Sequence, residues 1–173
     1  QWQPLPKKVE ALAGQRVLAV SGGARHSLAL TADGSVWSWG DGDFGKLGHG
    51  DQQLQLLPKK VEALAGRRVI ALSAGEHHSL AITADGSLWS WGCGWEGQLG
   101  HGGMQNQLVP KKIEGLTDKR VVAVSAGDTH SLAITANADV FAWGQGACGC
   151  LGHGEDLSNQ LLPKKNEEWA PGQ

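Results

Sequence analysis

The chain repeats itself every 52 residues. His26, His78 and His130 share one phase, as do Trp39, Trp91 and Trp143, and Gly48, Gly100 and Gly152. A fixed period of this length means that one supersecondary unit is stacked on copies of itself, a constraint that precedes any motif. The centre of the unit is best preserved at residues 73–92 (SAGEHHSLAITADGSLWSWG) and recurs at 22–40 and 126–144.

Within the second copy, residues 59–64, 68–73, 79–83 and 87–91 read as four short strands, each rich in β-branched or aromatic residues and bounded by Gly, Pro or Asp. The Asp-Gly pairs at Asp33-Gly34 and Asp85-Gly86 predict tight type I′ hairpins. The third copy has Asn137-Ala138-Asp139 instead, which predicts a looser or differently built turn. The strands lack clean alternation (Val69-Ile70-Ala71-Leu72), as in sheets covered on both faces. Four antiparallel strands per period, joined by Gly-rich connections, point to β-propeller blades. The expected fold is all-β: a partial β-propeller of three four-stranded antiparallel blades plus a terminal strand. Its repeats run over 6–57, 58–109 and 110–162, after a short lead with Trp2 and Pro4. Residues 163–173 form an eroded fourth copy or cap, in which Asn166 replaces the usual Val.

Composition narrows the function classes. There are 26 Gly and 8 Trp but no Tyr, which suits tight turns around a few large apolar anchors. The net charge of -2 supplies no general field for nucleic acid or an acidic membrane, and no apolar run approaches the roughly 18 residues of a membrane span. Cys93, Cys148 and Cys150 occupy non-equivalent positions, a poor disulfide framework that fits a reducing, cytoplasmic or nuclear setting. The start at Gln1 fits an excised piece of a longer parent.

The recurrent His-Ser pair (His26-Ser27, His78-Ser79, His130-Ser131) resembles half of a catalytic constellation. Chemistry needs such a group once rather than in every blade, so a structural hydrogen bond to a turn backbone is expected. His49, His101 and His153 of the Gly-His-Gly loops would be splayed apart around a propeller axis, and no metal or cofactor is expected. Gly40-x-Gly42-x-x-Gly45 follows a strand but opens no helix, so it lacks a phosphate cradle. Eight of the 15 basic residues lie in Pro-Lys-Lys motifs (Lys7, Lys8, Lys59, Lys60, Lys111, Lys112, Lys164, Lys165). They read as edge-strand protection rather than a nucleic-acid surface. No catalytic motif is present, and the chain is read as a non-enzyme.

The pattern Val-x-Ala-x-Ser-Ala-Gly-x-x-His-Ser-Leu-Ala-Ile-Thr-x-Asp-Gly-x-Leu-x-x-Trp-Gly, followed by Gly-Gln-Leu-Gly-His-Gly, resembles the repeat of the regulator of chromosome condensation family over nearly the whole chain. The resemblance implies a propeller, usually seven-bladed, whose sequence repeat straddles two blades. Three repeats would make less than half of such a ring, leaving open blade ends for self-association or for further blades. It also implies a protein-interaction module, of the kind found in ubiquitin ligases and scaffolds, whose partner is a protein such as a ubiquitination substrate or a small GTPase. The alternative is a chromatin-associated guanine-nucleotide exchange factor for a small nuclear GTPase. Exchange in the family uses an inserted wedge, and the repeats here contain no insertion. The family's plant ultraviolet-B sensor uses Trp in Gly-Trp-Arg-His-Thr motifs; the matching positions are Ala24, Glu76 and Asp128, so no such chromophore is implied.

In a four-stranded meander, the first and third connections leave one end of the blade. These connections vary between copies, whereas those of the other end (Thr-Ala-Asp-Gly-Ser, Glu-Ala-Leu-Ala-Gly) are nearly uniform. The candidate partner-binding residues are therefore Arg25, Asp41, Asp43, Phe44, Glu76, His77, Trp95, Glu96, Asp128 and Thr129. Exposed aromatics flanked by charge have the makeup of a protein-binding surface.

Overall fold

The computed structural model describes residues 3–167, so Trp2 and Trp169 lie outside the described residues. Among the described residues, twelve strands form three four-stranded antiparallel sheets in simple meander order. Blade one contains β1 (Val17–Gly22), β2 (His26–Thr31), β3 (Val36–Gly40) and β4 (Gln55–Lys60). Blade two contains β5 (Val69–Ala74), β6 (His78–Thr83), β7 (Leu88–Gly92) and β8 (Gln107–Lys112). Blade three contains β9 (Val121–Ala126), β10 (His130–Thr135), β11 (Val140–Gly144) and β12 (Gln160–Lys165). The terminal strand foreseen in the eroded copy is β12, the outer strand of blade three. No helix among the described residues is long and apolar enough to cross a membrane.

Blade and repeat are out of phase. Residues 59–64 are not the first strand of blade two: Lys59 and Lys60 end β4, the outer strand of blade one, and Glu62–Leu64 is a 3-10 turn. That turn buries Val61 and Leu64 in the seam between blades one and two. The lysines at β4, β8 and β12 thus lie on outer edges, where charge opposes edge-to-edge pairing. Lys7 and Lys8 lie in no strand.

Each seam is built like the last. Leu28, Leu30 and Val36 of blade one meet Val69, Ala81 and Trp91 of blade two. Leu80, Ile82 and Leu88 of blade two meet Val121, Ala133 and Trp143 of blade three. Trp91 and Trp143 are fully buried, whereas Trp39, whose face meets no preceding blade, is half-buried. The repeated glycine before the His-Ser pair permits close approach at these seams. A Cβ on Gly75 would lie 2.4 Å from the Gly127 carbonyl oxygen, so only glycine fits.

The Asp-Gly hairpins are not type I′, because Gly34 takes φ 83° while Asp33 has no positive φ. The Gly34 amide donates to Thr31 O (2.9 Å) and the Thr31 amide to Ser35 O (3.0 Å), closing a three-residue loop with its glycine in the left-handed region. The third copy is not looser. The Ala138 amide donates to Thr135 O and the Thr135 amide to Asp139 O over the same distances within 0.1 Å, and Ala138 is forced to φ 63°. A left-handed alanine costs roughly 1–2 kcal/mol. Ala138→Gly should therefore stabilise the chain by about 0.5–1 kcal/mol after glycine's extra unfolded-state entropy is deducted, read as a higher denaturant midpoint at unchanged slope.

Candidate functional site

The first and third connections leave the same end of each blade and are stitched together by backbone. The Asp41 amide donates to Arg25 O (2.9 Å), the Cys93 amide to His77 O (2.9 Å) and the Gln145 amide to Thr129 O (3.0 Å). The variable residues therefore form one continuous rim.

Seven of the ten candidates gather where blades one and two meet. The Phe44 ring touches His77 edge-on at a centroid distance of 5.2 Å and Trp95 at 4.8 Å. Trp95 keeps 55% of its surface exposed. Phe44 has a left-handed backbone (φ 62°), an uncommon state for a bulky residue, and its amide is tied to Gln52 Oε1 at 2.9 Å. Strain of this kind persists only where surrounding contacts fix it. Glu76 Oε1 lies 3.5 Å from His77 Nε2. Asp43 and Arg25 are exposed beside the cluster.

Beneath the aromatics lies a residue that sequence reasoning passed over. Lys46 is completely buried, its Nζ 2.7 Å from Asp41 Oδ2 and 5.9 Å from the Phe44 ring centroid. Burial pushes the Asp41 carboxyl up, but hydrogen bonds from Lys46 and the Asp43 amide, with the charges of Lys46 and Arg25, leave it below its ordinary value. The signal was available: Lys46 aligns with Gln98 and Cys150, so it breaks the repeat as sharply as Phe44 does.

Glu96, Asp128 and Thr129 sit apart from this cluster. Glu96 accepts a hydrogen bond from Asn159 Nδ2 (2.7 Å) across the seam between blades two and three, and Thr129 Oγ1 donates to Gln145 Oε1 (2.9 Å). Asp128 is exposed.

The recurrent histidine is structural, but its partner is not a turn backbone. His26 Nε2 lies 2.9 Å from Ser79 Oγ and His78 Nε2 lies 2.9 Å from Ser131 Oγ, so each histidine bonds the serine of the next blade. Ser79 and Ser131 donate their own protons to Lys46 O and Gln98 O. Each histidine must therefore donate through Nε2–H, which makes it neutral with a bare Nδ1. Burial, then the charge of Lys46, lowers the His26 pKa to about 4. Burial, followed by neighbouring histidines, lowers that of His78 to about 3. Neither serine has an idle histidine to deprotonate it, and each pair is spent on joining blades. His49 and His101 are likewise held by Ser38 and Ser90 at 2.9 Å. Among the described residues no group of three His, Cys, Asp or Glu side chains is placed to hold a metal ion.

The rim can thus offer an aromatic contact surface edged by carboxylates. Comparison with known proteins gives it a context. The family model described as "RCC1-like domain" matches residues 1–171. The E3 ubiquitin-protein ligase HERC2 of Homo sapiens is 45% identical over 153 residues, covering 87% of this chain and 3% of that protein. The ultraviolet-B receptor UVR8 of Arabidopsis thaliana is 40% identical over 164 residues, covering 94% of this chain and 37% of the receptor. Prp20p of Saccharomyces cerevisiae, solved in work on its binding to Gsp1p and histones, superposes with a TM-score of 0.79 at 28% identity over 88% of this chain and 38% of its own. The chain spans well under half the length of these relatives.

Proposed function

The chain belongs to the RCC1-like domain family, and on that premise we propose that it is a protein-docking module whose working surface is the rim around Phe44, His77 and Trp95. The observation that carries this reading is the exposed Trp95–Phe44–His77 contact, held on a strained loop above the buried Lys46 and its ion pair with Asp41. Trp at the centre of a rigid patch is the commonest kind of interface anchor. Asp43 and Glu76 outnumber Arg25 around it, which favours a partner that brings an apolar group flanked by basic residues. A ubiquitination substrate fits the likeness to HERC2, and a cytoplasmic or nuclear setting fits the unpaired cysteines. No catalytic role is proposed for the chain.

Affinity capture from a eukaryotic lysate tests this, with Trp95→Ala and Phe44→Ala as variants and Lys59→Ala on the outer edge as control. Loss of an interface anchor should weaken a captured partner roughly 30-fold. Partners that survive both rim changes and vanish with Lys59→Ala would move recognition to the lysine edge.

The likeness to Prp20p supports a second reading, nucleotide exchange on a small GTPase. The unbroken repeats offer no wedge, so no acceleration of nucleotide release from a Gsp1p-type GTPase is expected. Acceleration would reverse the ranking.

A further inference from the structure

Resting on the docking reading above, we infer that the rim receives an arginine from a linear basic segment of the partner. Its guanidinium stacks on Trp95, and the apolar residue beside it sits on Met104.

The patch is exposed without relying on an unpaired blade face. Trp95 and Met104 both lie between β7 and β8 of blade two, which has a blade on either side. The Phe44 loop packs on the same blade, since a Cβ on Gly45 would fall 2.6 Å from Leu108 Cα. Trp95 is 55% exposed and Met104 53%. A Cβ on Gly94 would come within 3.3 Å of the Met104 carbonyl carbon, which places Met104 beside the loop that carries Trp95.

Charge selects the sign of the occupant. The connections at this end of the blades (23–25, 41–54, 75–77, 93–106, 127–129 and 145–159) carry eight Asp and Glu against two basic residues, Arg25 and Lys46. The whole chain has a net charge of only -2, so its negative charge is gathered at this end. Lys46 is paired with Asp41 and Lys164 with Asp156, each at 2.7 Å. Among the described residues, the other six carboxylates of these connections have no lysine or arginine as ion-pair partner. Such an end draws a cation and repels an anion.

The aromatic cluster selects the kind of cation. The Phe44 ring already has Lys46 Nζ 5.9 Å from its centroid, which leaves Trp95 as the exposed ring for an incoming charge. Trp is the best aromatic partner of a cation, and a guanidinium, planar and weakly hydrated, stacks on a ring better than an ammonium does. The chain makes this pairing itself at the opposite end of the blades, where the Arg67 guanidinium lies 4.4 Å from the Trp89 ring centroid. Asp43 and Glu76, both open to solvent at the edge of the cluster, supply carboxylates for the donors of the stacked guanidinium. Met104, unbranched and adaptable, takes the apolar neighbour. A footprint of two adjacent side chains is one that a linear segment fills.

Selection of a random peptide library against the full chain tests the inference, with the affinities of synthesised winners read by fluorescence anisotropy. Enriched peptides should carry an arginine next to an apolar residue. Replacing that arginine by lysine, at unchanged peptide charge, should weaken binding roughly 10-fold, and Trp95→Leu, which keeps apolar bulk without a ring, should do the same. Met104→Ser should relax the preference for the apolar neighbour, and circular dichroism shows that both variants are folded. Peptides that need Trp95 but carry no arginine, or that bind equally well with lysine, would overturn the inference and leave the docking reading standing. If no selected peptide depends on Trp95 or Phe44, both fall. A Trp95-dependent dimer of the chain in light scattering would give the position to a second copy and would also overturn the inference.

Discussion

Lowering the pH from 7 to 4 should remove roughly 3 kcal/mol of stability for each of the two buried seam histidines, His26 and His78. Their ordinary pKa is 6.5, and burial lowers it in the folded chain to about 4 for His26 and about 3 for His78. The unfolded chain therefore binds protons first as pH falls. Stability is complete above pH 6.5 and is lost steadily down to the folded values. The geometry gives the reason: Nε2–H is already committed to the next blade's serine, and Nδ1 of both rings is buried with no hydrogen-bond partner among the described residues. Protonation would place a charged, unpaired N–H in that seam. His101, lowered to about 4 by burial and then by Lys111, adds a smaller share because it is partly open to solvent.

The carboxylates lowered in the fold, among them Asp41, Asp85 and Asp118, lose their share only as pH falls below their ordinary value of 3.8, so the window from 6.5 to 4 belongs to the histidines. Denaturant midpoints at pH 7, 5.5 and 4 provide the measurement. His78→Gln keeps a donor toward Ser131 and should flatten part of the slope. A midpoint that stays constant between pH 7 and pH 5 would show that the seam histidines are not buried and neutral.

That seam also marks how far the sequence could be read. The 52-residue period and the Trp and Gly positions sufficed for blades and for Trp91 and Trp143 as anchors, because a large apolar residue at a fixed phase has one economical place in a stacked sheet. Phase was not legible. Periodicity does not say which strand opens a blade, and Val61-Glu62-Ala63-Leu64 continues from Lys59-Lys60 with no turn residue to mark a break, yet Glu62–Leu64 forms a 3-10 turn. The histidine's partner was missed because it lies one repeat away, at the same phase plus one residue. At the rim, variation between copies pointed to Phe44, His77 and Trp95 among ten candidates, and the structure brings these three rings into contact. Variation could not separate them from Glu96, Asp128 and Thr129, since one rim spans three blades and chain position does not give distance along it. Lys46 was passed over because a lysine between two glycine-rich stretches looks like an exposed loop residue, and only its contact with Asp41 shows it to be buried.

Asp41→Ala should cost about 3–5 kcal/mol, a large loss for a residue on the rim. Lys46 is fully enclosed, and Asp41 Oδ2 at 2.7 Å is its ion-pair partner, so the substitution leaves an ammonium in the protein interior with no counter-charge. Burying that charge alone is what costs the energy; the pair as a whole need not be strongly stabilising. The second repeat shows how to separate the two. There Cys93 stands at the position of Asp41 and Gln98 at that of Lys46, both buried, with Gln98 Oε1 taking the Glu96 amide at 2.9 Å. Asp41→Cys combined with Lys46→Gln transplants that neutral solution. The double variant should recover most of the lost stability, with a coupling of about 2–3 kcal/mol in the four-member cycle. Because Lys46 also sits under the Phe44 ring, Asp41→Ala should loosen the Phe44–Trp95 contact and weaken partner capture, whereas the double variant should keep the fold while testing whether the aromatic rim needs a cation behind it. Denaturant titration of all four proteins gives the cycle. Equal stability of Asp41→Ala and the unmodified chain would mean that Lys46 reaches water and that the ion pair is not part of the support beneath the rim.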